Sequence, residues 1–321
     1  MPEEPDVTRR TGRLARGAVS ALLCLAATTG CGGAGEAGGA GEAGGAARQD
    51  GAAHEADGTA SRPLTRREKS LLHDAEQTLV QQCMREAGFR LWKTPENPLP
   101  EHRDFPYAVD DADWAREHGY GSGLRRRVER LRAEDPNRRY LRGLSPQRRQ
   151  AAVTALNGSD PQDGPHATLP MGAQVSRSSE GCTSAAQREL YGDLNSWFTA
   201  QMITDTLPSI RRSRVLGDAA YTTAVGKWSS CMRRRGHDHT DPGEARAAFA
   251  EPHGTAPSRR EVRTAVDEAE CAADSGLAAT ARRLDRHHGR QLDEQYRAEL
   301  RDRTRLERAA LPRARSAVRA G

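Results

Sequence analysis

The chain has 321 residues, of which 36% are hydrophobic, 4% aromatic and 29% charged, and its mean hydropathy is −0.80. So little apolar material excludes one deep globular core and points to a thin core spread along helices. The formal charge is +5, the basic residues are nearly all Arg with Lys only at Lys69, Lys93 and Lys227, and acid and base interleave in stretches such as RRLDRHHGRQLDEQ; with no basic stripe carrying interleaved aromatics, no nucleic-acid partner is expected.

Residues 1–30 read as a signal peptide. TRRTGRLARG supplies Arg9, Arg10, Arg13 and Arg16, and AVSALLCLAATTG follows as an apolar run of about thirteen residues, too short to span a bilayer as a helix. TTGC then brings small residues up to Cys31. This stretch resembles bacterial lipoprotein precursors, and the resemblance implies that Cys31 becomes the lipidated first residue of the mature protein. The Arg9-Arg10 pair resembles a twin-arginine export signal, with general secretion as the other route. The cysteine count agrees. Of six cysteines, Cys24 leaves with the signal and Cys31 takes lipid, so an even set remains for an oxidising compartment.

Residues 31–62 are rich in Gly and Ala and lack any apolar period. They read as a flexible tether whose ends lie about 30 Å apart on average. The folded part is expected at 63–321 and all-α. Thr65-Arg66-Arg67-Glu68 fits a capping box, followed by Leu72, Ala75, Leu79, Val80, Cys83 and Ala87 on one face and Gly88 as the stop. Short charged helices are expected over 110–118 and 124–133. Ser145-Pro146 opens another, which Gly158 closes. Cys182 to Met202 is amphipathic through Leu190, Leu194 and Trp197. Pro208 should separate it from the helix of Tyr221, Val225, Trp228 and Met232. A second capping box at Ser258–Glu261 should start a long terminal helix with Val262, Val266, Ala269 and Ala273 inward. Gly276 and Gly289 would kink it and Pro312 would stop it. Strands are expected only as a short ribbon.

Two stretches repeat: CMREAGFRLWKTP from Cys83 and CMRRRGHDHTDP from Cys231. Each sets Cys late on a helix, Gly five residues on, and Pro at the end of a polar turn, and each is followed by a cysteine after acid, Cys182 or Cys271. The chain therefore reads as two helical repeat units, 63–200 with an insertion over 89–180, and 209–321. Four cysteines allow three connectivities. The repeat favours Cys83–Cys182 and Cys231–Cys271, one bridge closing each unit and each contributing roughly 3–4 kcal/mol by loop closure. The wide spacing and the lack of any CxxC favour structural bridges over redox or metal chemistry.

With the lipobox-like Cys31, the two CMxxxG helices, their partner cysteines and RRYLRGLSPQRRQAAVTALNG from Arg138, the chain resembles a group of secreted actinobacterial lipoproteins of unknown function. The resemblance covers most of residues 65–275. It implies an all-helical exported protein and carries over no catalytic residue.

Little else points to chemistry. His237 and His239 in GHDHTDP could ligate zinc, but the matching GFRLWKTP has no ligands, so a metal shared by both units is excluded and no cofactor is expected. HGYGSG lacks the Lys and the preceding strand of a phosphate loop and reads as a tight turn. The insertion holds Trp92, Phe105, Tyr107, Trp114 and Tyr120, which could form a contact surface or a satellite hydrophobic cluster under a long loop. The expected function is non-catalytic binding or assembly on the outer face of the cytoplasmic membrane, held there by the lipid anchor, with an envelope protein or cell-wall polymer as partner. The rival is an envelope hydrolase acting on peptidoglycan or peptide bonds, with acids of the insertion and His118 as candidates.

Overall fold

Thr65 opens the helical part as the sequence predicts. Its side chain accepts from the Glu68 N–H, and the Glu68 carboxylate accepts from the Thr65 N–H at 2.7 Å, so two donors at the helix start are satisfied reciprocally. The computed structural model describes residues 62–250 and 256–321. The signal peptide expected over 1–30, Cys31 and all of the expected tether but Arg62 lie outside the described residues.

Among the described residues the order is α1 (Arg66–Glu86), α2 (Ala112–His118), α3 (Ser122–Glu134), α4 (Pro136–Gly143), α5 (Pro146–Asn157), β1 (His166–Thr168), β2 (Gln174–Ser176), α6 (Cys182–Tyr191), α7 (Leu194–Leu216), α8 (Ala219–Arg234), α9 (Pro242–Ala247), α10 (Arg259–Asp274), α11 (Leu277–Gln295) and α12 (Arg297–Ala320). The class is all-α. β1 and β2 pair antiparallel with Ala167 opposite Val175, which is the short ribbon that was allowed for. No described helix is long and apolar enough to cross a membrane.

The repeated CMxxxG is the code for a helix end. Gly88 and Gly236 take φ of 80° and 85°. The Gly88 N–H donates to the Arg85 carbonyl at 3.0 Å and the Phe89 N–H to Met84 at 2.8 Å; the Gly236 N–H donates to Arg233 and the His237 N–H to Met232, both at 3.0 Å. Both are Schellman closures, which need a left-handed residue just past the cap and set the methionine as the acceptor from the residue five positions on. Met84 and Met232 are both buried, so each helix end is pinned to the core beside its cysteine. Cys83 bonds Cys182 with Cα atoms 5.5 Å apart, and Cys231 bonds Cys271 with Cα atoms 5.7 Å apart. The likeness of the two stretches stops there. Cys182 is the first residue of α6, whereas Cys271 sits near the end of α10.

Several boundaries depart from expectation. Pro208 lies inside α7 and Pro312 inside α12. A helix-interior proline costs about 3 kcal/mol, and packing offsets it here. α7 lies against α11 and α12, with Arg303 of α12 donating to Thr204 at 2.6 Å, and Pro312 follows the buried Ala310 and Leu311. The real breaks carry local capping chemistry. Gly192 and Asp193 end α6 and start α7, Asp218 caps α8, and Gly276 at φ 75° divides α10 from α11. The long terminal helix is therefore three helices, with Gly289 buried inside α11. α4 was not foreseen; Asp135 caps it and Pro136 occupies its first turn.

The core divides differently from the sequence units. One cluster joins α1, α5 and α6 to Leu306, Ala310, Leu311 and Ala314 of α12. The other joins α8, α10 and α11 to Ala108, Val109, Ala115 and Tyr120 of the insertion. The terminal helix thus completes the core of the first half, and the insertion completes that of the second.

The bridges close loops spanning 99 and 40 residues. Replacing Cys231 and Cys271 together by Ala should lower the unfolding free energy by about 4 kcal/mol, read from denaturant midpoints. Gly236→Ala should cost about 1–2 kcal/mol through its left-handed backbone, while Gly226→Ala, mid-helix and with open space around it, should not destabilise.

Candidate functional site

The five aromatic residues of the insertion do not form one exposed face. Trp114 and Tyr120 are only 8% and 4% exposed. Trp114 packs on Phe105 at 4.8 Å and on His118 at 5.0 Å, and its Nε1–H donates to the Glu101 carbonyl at 3.0 Å. Tyr120 stacks on Phe249 at 5.4 Å. Trp92 belongs elsewhere, edge-on to Tyr140 at 5.8 Å, with its backbone N–H and carbonyl both held by Asn137. The expected contact surface of Trp92, Phe105, Tyr107, Trp114 and Tyr120 is corrected accordingly. Two of them are core, Phe105 packs half-buried on that core, Trp92 stands apart, and Tyr107 lines a cleft.

What seats the insertion is a pair of buried glutamates on α10. Glu268 is fully buried; its Oε1 accepts from the Val109 N–H at 2.8 Å and its Oε2 from the Tyr120 hydroxyl at 2.6 Å. Burial pushes its carboxyl up to about 7. Seven residues earlier, and so on the same helix face, Glu261 accepts from the Tyr120 and Ser122 N–H groups at 2.9 and 3.2 Å and from the Ser122 hydroxyl at 2.6 Å. HGYGSG is therefore an anion nest at the start of α3, occupied by the chain's own carboxylate. A Cβ on Gly119 would come within 2.8 Å of Glu261, which explains the glycine. The second capping box is half-formed for the same reason. Ser258 accepts from the Glu261 N–H, but the Glu261 side chain is spent on the insertion.

The sequence shows Glu261 only as a capping residue, and its apolar pattern sets the core face of α10 one residue out of phase. The buried residues are Glu261, Thr264, Ala265, Glu268, Ala269, Cys271 and Ala272, while Ala273 is exposed. The legible signal was acid at i and i+7 with Ala at i+4 and i+11 between and beyond.

Beside the seated loop lies a half-open cleft of about 350 Å³, lined by Pro106, Tyr107, Arg212, Tyr221, Val225 and Arg246 among others. The Tyr221 hydroxyl donates to the Tyr107 carbonyl at 3.1 Å, and Arg246 donates to the Phe105 carbonyl at 2.6 Å. The Tyr107 hydroxyl donates to Asp285; burial first, then that carboxylate, pushes its ionisation well above the usual phenol range. Arg212 lines the cleft with no hydrogen bond or ion pair among the described residues. Asp241, the lining carboxylate, caps α9 through the Glu244 N–H at 2.9 Å. Such a site can hold an apolar group carrying an anion. Its tyrosines and Asp241 already have partners, and among the described residues neither of its cations, Arg212 and the carbonyl-bound Arg246, meets a carboxylate.

The histidines do not converge. His237 Nε2 meets Asp267 at 2.7 Å, and Asp267 also takes Arg235 at 3.0 Å. The contact at His239 is through its carbonyl, which accepts from Ser229 at 2.7 Å. Among the described residues no group of three or more His, Cys, Asp or Glu is set to hold a metal ion. His118 packs at a tilt on Trp114, with Glu117 at 3.7 Å.

Glu268 ionises at about 7 in the fold against 4.5 for the unperturbed group. Its protonated form therefore favours folding. That contribution is complete below about pH 4.5 and is lost as pH rises through 7, for a change of about 3 kcal/mol. Glu268→Gln keeps an acceptor for Val109 and a partner for Tyr120. Its melting temperature should fall less between pH 5 and 8 than that of the parent; parallel curves would contradict this.

Comparison of the chain with protein-family models, curated proteins and solved structures finds no match.

Proposed function

We propose that this is an exported lipoprotein, anchored through Cys31 on the outer face of the cytoplasmic membrane, with a non-catalytic binding or assembly role toward an envelope partner. The observation that carries the reading is the cysteine pairing. Cys83, Cys182, Cys231 and Cys271 are consumed in two bridges, which fits an oxidising compartment. Once Cys24 leaves with the signal, Cys31 is the single cysteine over, at the position where lipoprotein precursors carry lipid. Two or more acyl chains would make the attachment stable. The resemblance to secreted actinobacterial lipoproteins supports the same reading.

The binding role is supported by the cleft at Tyr107. It offers apolar walls and an uncommitted guanidinium in Arg212, suited to a partner segment with an apolar side chain beside a carboxylate or phosphate. A hydrolase would need opposed carboxylates or a His–acid pair facing a substrate. The buried glutamates are spent on seating the insertion, His118 packs on Trp114, and the His237–Asp267 pair is not part of the cleft lining, so binding is the better-supported role.

In the native host, Cys31→Ser should move the protein from the membrane fraction to the soluble one and abolish incorporation of labelled fatty acid. Retention at the membrane would contradict the anchor. Arg212→Ala should weaken capture of envelope partners on immobilised protein with an unchanged melting temperature, and equal capture would contradict the cleft.

A further inference from the structure

Positive charge is densest in one stretch of the insertion. Residues 124–150 hold ten arginines against Glu129, Glu134 and Asp135, an excess larger than the +5 of the whole chain. This stretch is the basic stripe that the overall alternation of charges concealed. It is also barely packed. Every residue from Glu129 to Glu134 is exposed, α4 buries none, and α5 buries Ala152. α3 rests on α2 and α4, and α4 on α3 and α5, so the three helices form an arch on the side of the body.

Arginines themselves hold the arch. Arg149 donates to the carbonyls of Leu141, Arg142 and Leu144 at 2.9–3.2 Å, and Arg148 to that of Gly88 at 2.9 Å. Arg138, Arg139 and Arg142 reach carbonyls at the end of α3 at 3.4–3.5 Å. A carbonyl satisfies a donor and carries no net charge, so these guanidiniums are positioned without being neutralised. Arg127, by contrast, meets Glu101. The result is a preorganised row of forked donors suited to phosphate oxygens.

We propose that the α3–α4–α5 arch docks a linear phosphodiester polymer of the cell wall. Charge complementarity selects a polyanion. Bases are disfavoured because the arch's aromatic residue, Tyr140, is half-buried against Trp92 and offers no ring for stacking. A membrane surface is disfavoured by the faces that these helices present, and placing the polymer in the cell wall rests on the exported reading above. Interfacial helices bury a broad apolar face, and across the arch the exposed large apolar residues are Leu131 and Val153.

The test is equilibrium binding of the full chain to poly(glycerol phosphate), to phosphatidylglycerol vesicles and to single-stranded DNA across a salt series. The polymer should bind tightest, and the Arg130→Gln/Arg132→Gln/Arg138→Gln variant should lose roughly tenfold or more with a salt slope reduced by about one per arginine removed. Should that variant fail to fold, phenylglyoxal footprinting of the parent replaces it, with the polymer expected to protect Arg130, Arg132 and Arg138 but not Arg315 or Arg319. No binding to the polymer, tighter binding to vesicles or DNA, an undiminished variant or unprotected arginines would each overturn the proposal. Polymer binding is measured without reference to the anchor, so its failure is separable from that of Cys31→Ser.

Discussion

Each disulfide ties down a helix end that the backbone has already closed. The Schellman turn at Gly88 or Gly236 fixes where α1 or α8 stops and presses a methionine into the core. The cysteine one residue earlier then joins that end to α6 or α10. In a chain with so few large apolar residues, long loops would otherwise leave the unfolded ensemble with much entropy to lose. The insertion over 89–180 and the long connection before α10 are tolerable because both close on a covalent bond.

The second stabilising device is polar. Glu261 and Glu268 project from α10 into the loops around Val109, Tyr120 and Ser122, where backbone N–H groups and hydroxyls meet them. Buried acid is costly unless its oxygens are satisfied, and here each is. The same contacts hold the loop carrying Tyr107 beside the cleft. Stability and the candidate site are thus linked through one helix face, and the raised ionisation of Glu268 makes that link sensitive to pH near neutrality.

Local chemistry was legible and long-range exchange was not. The Thr65 capping box, the Ser145-Pro146 start and Gly158 stop, and the glycines of CMxxxG all act within a few residues, and each fixed a boundary. Pro208 and Pro312 misled because a local cost of a few kcal/mol is outweighed by packing against α11, α12 and α1 that no local pattern reveals. The swap of α12 and the insertion between the two cores is likewise invisible to periodicity. At the site, Tyr107 was singled out for its type, while Arg212, Arg246 and the two glutamates looked like members of a solvated charged surface. In a sequence with acid and base on nearly every turn, a charge that faces inward is marked only by its neighbours, as Ala265 and Ala272 mark Glu261 and Glu268.

The account depends most on which sulfurs are joined. Mass mapping of unreduced peptides from the protein purified from its native host tests this directly. It should yield Cys83 linked to Cys182 and Cys231 linked to Cys271, with Cys31 carrying lipid and no bridge. A bond between Cys83 and either Cys231 or Cys271, or four free thiols in the mature protein, would contradict it.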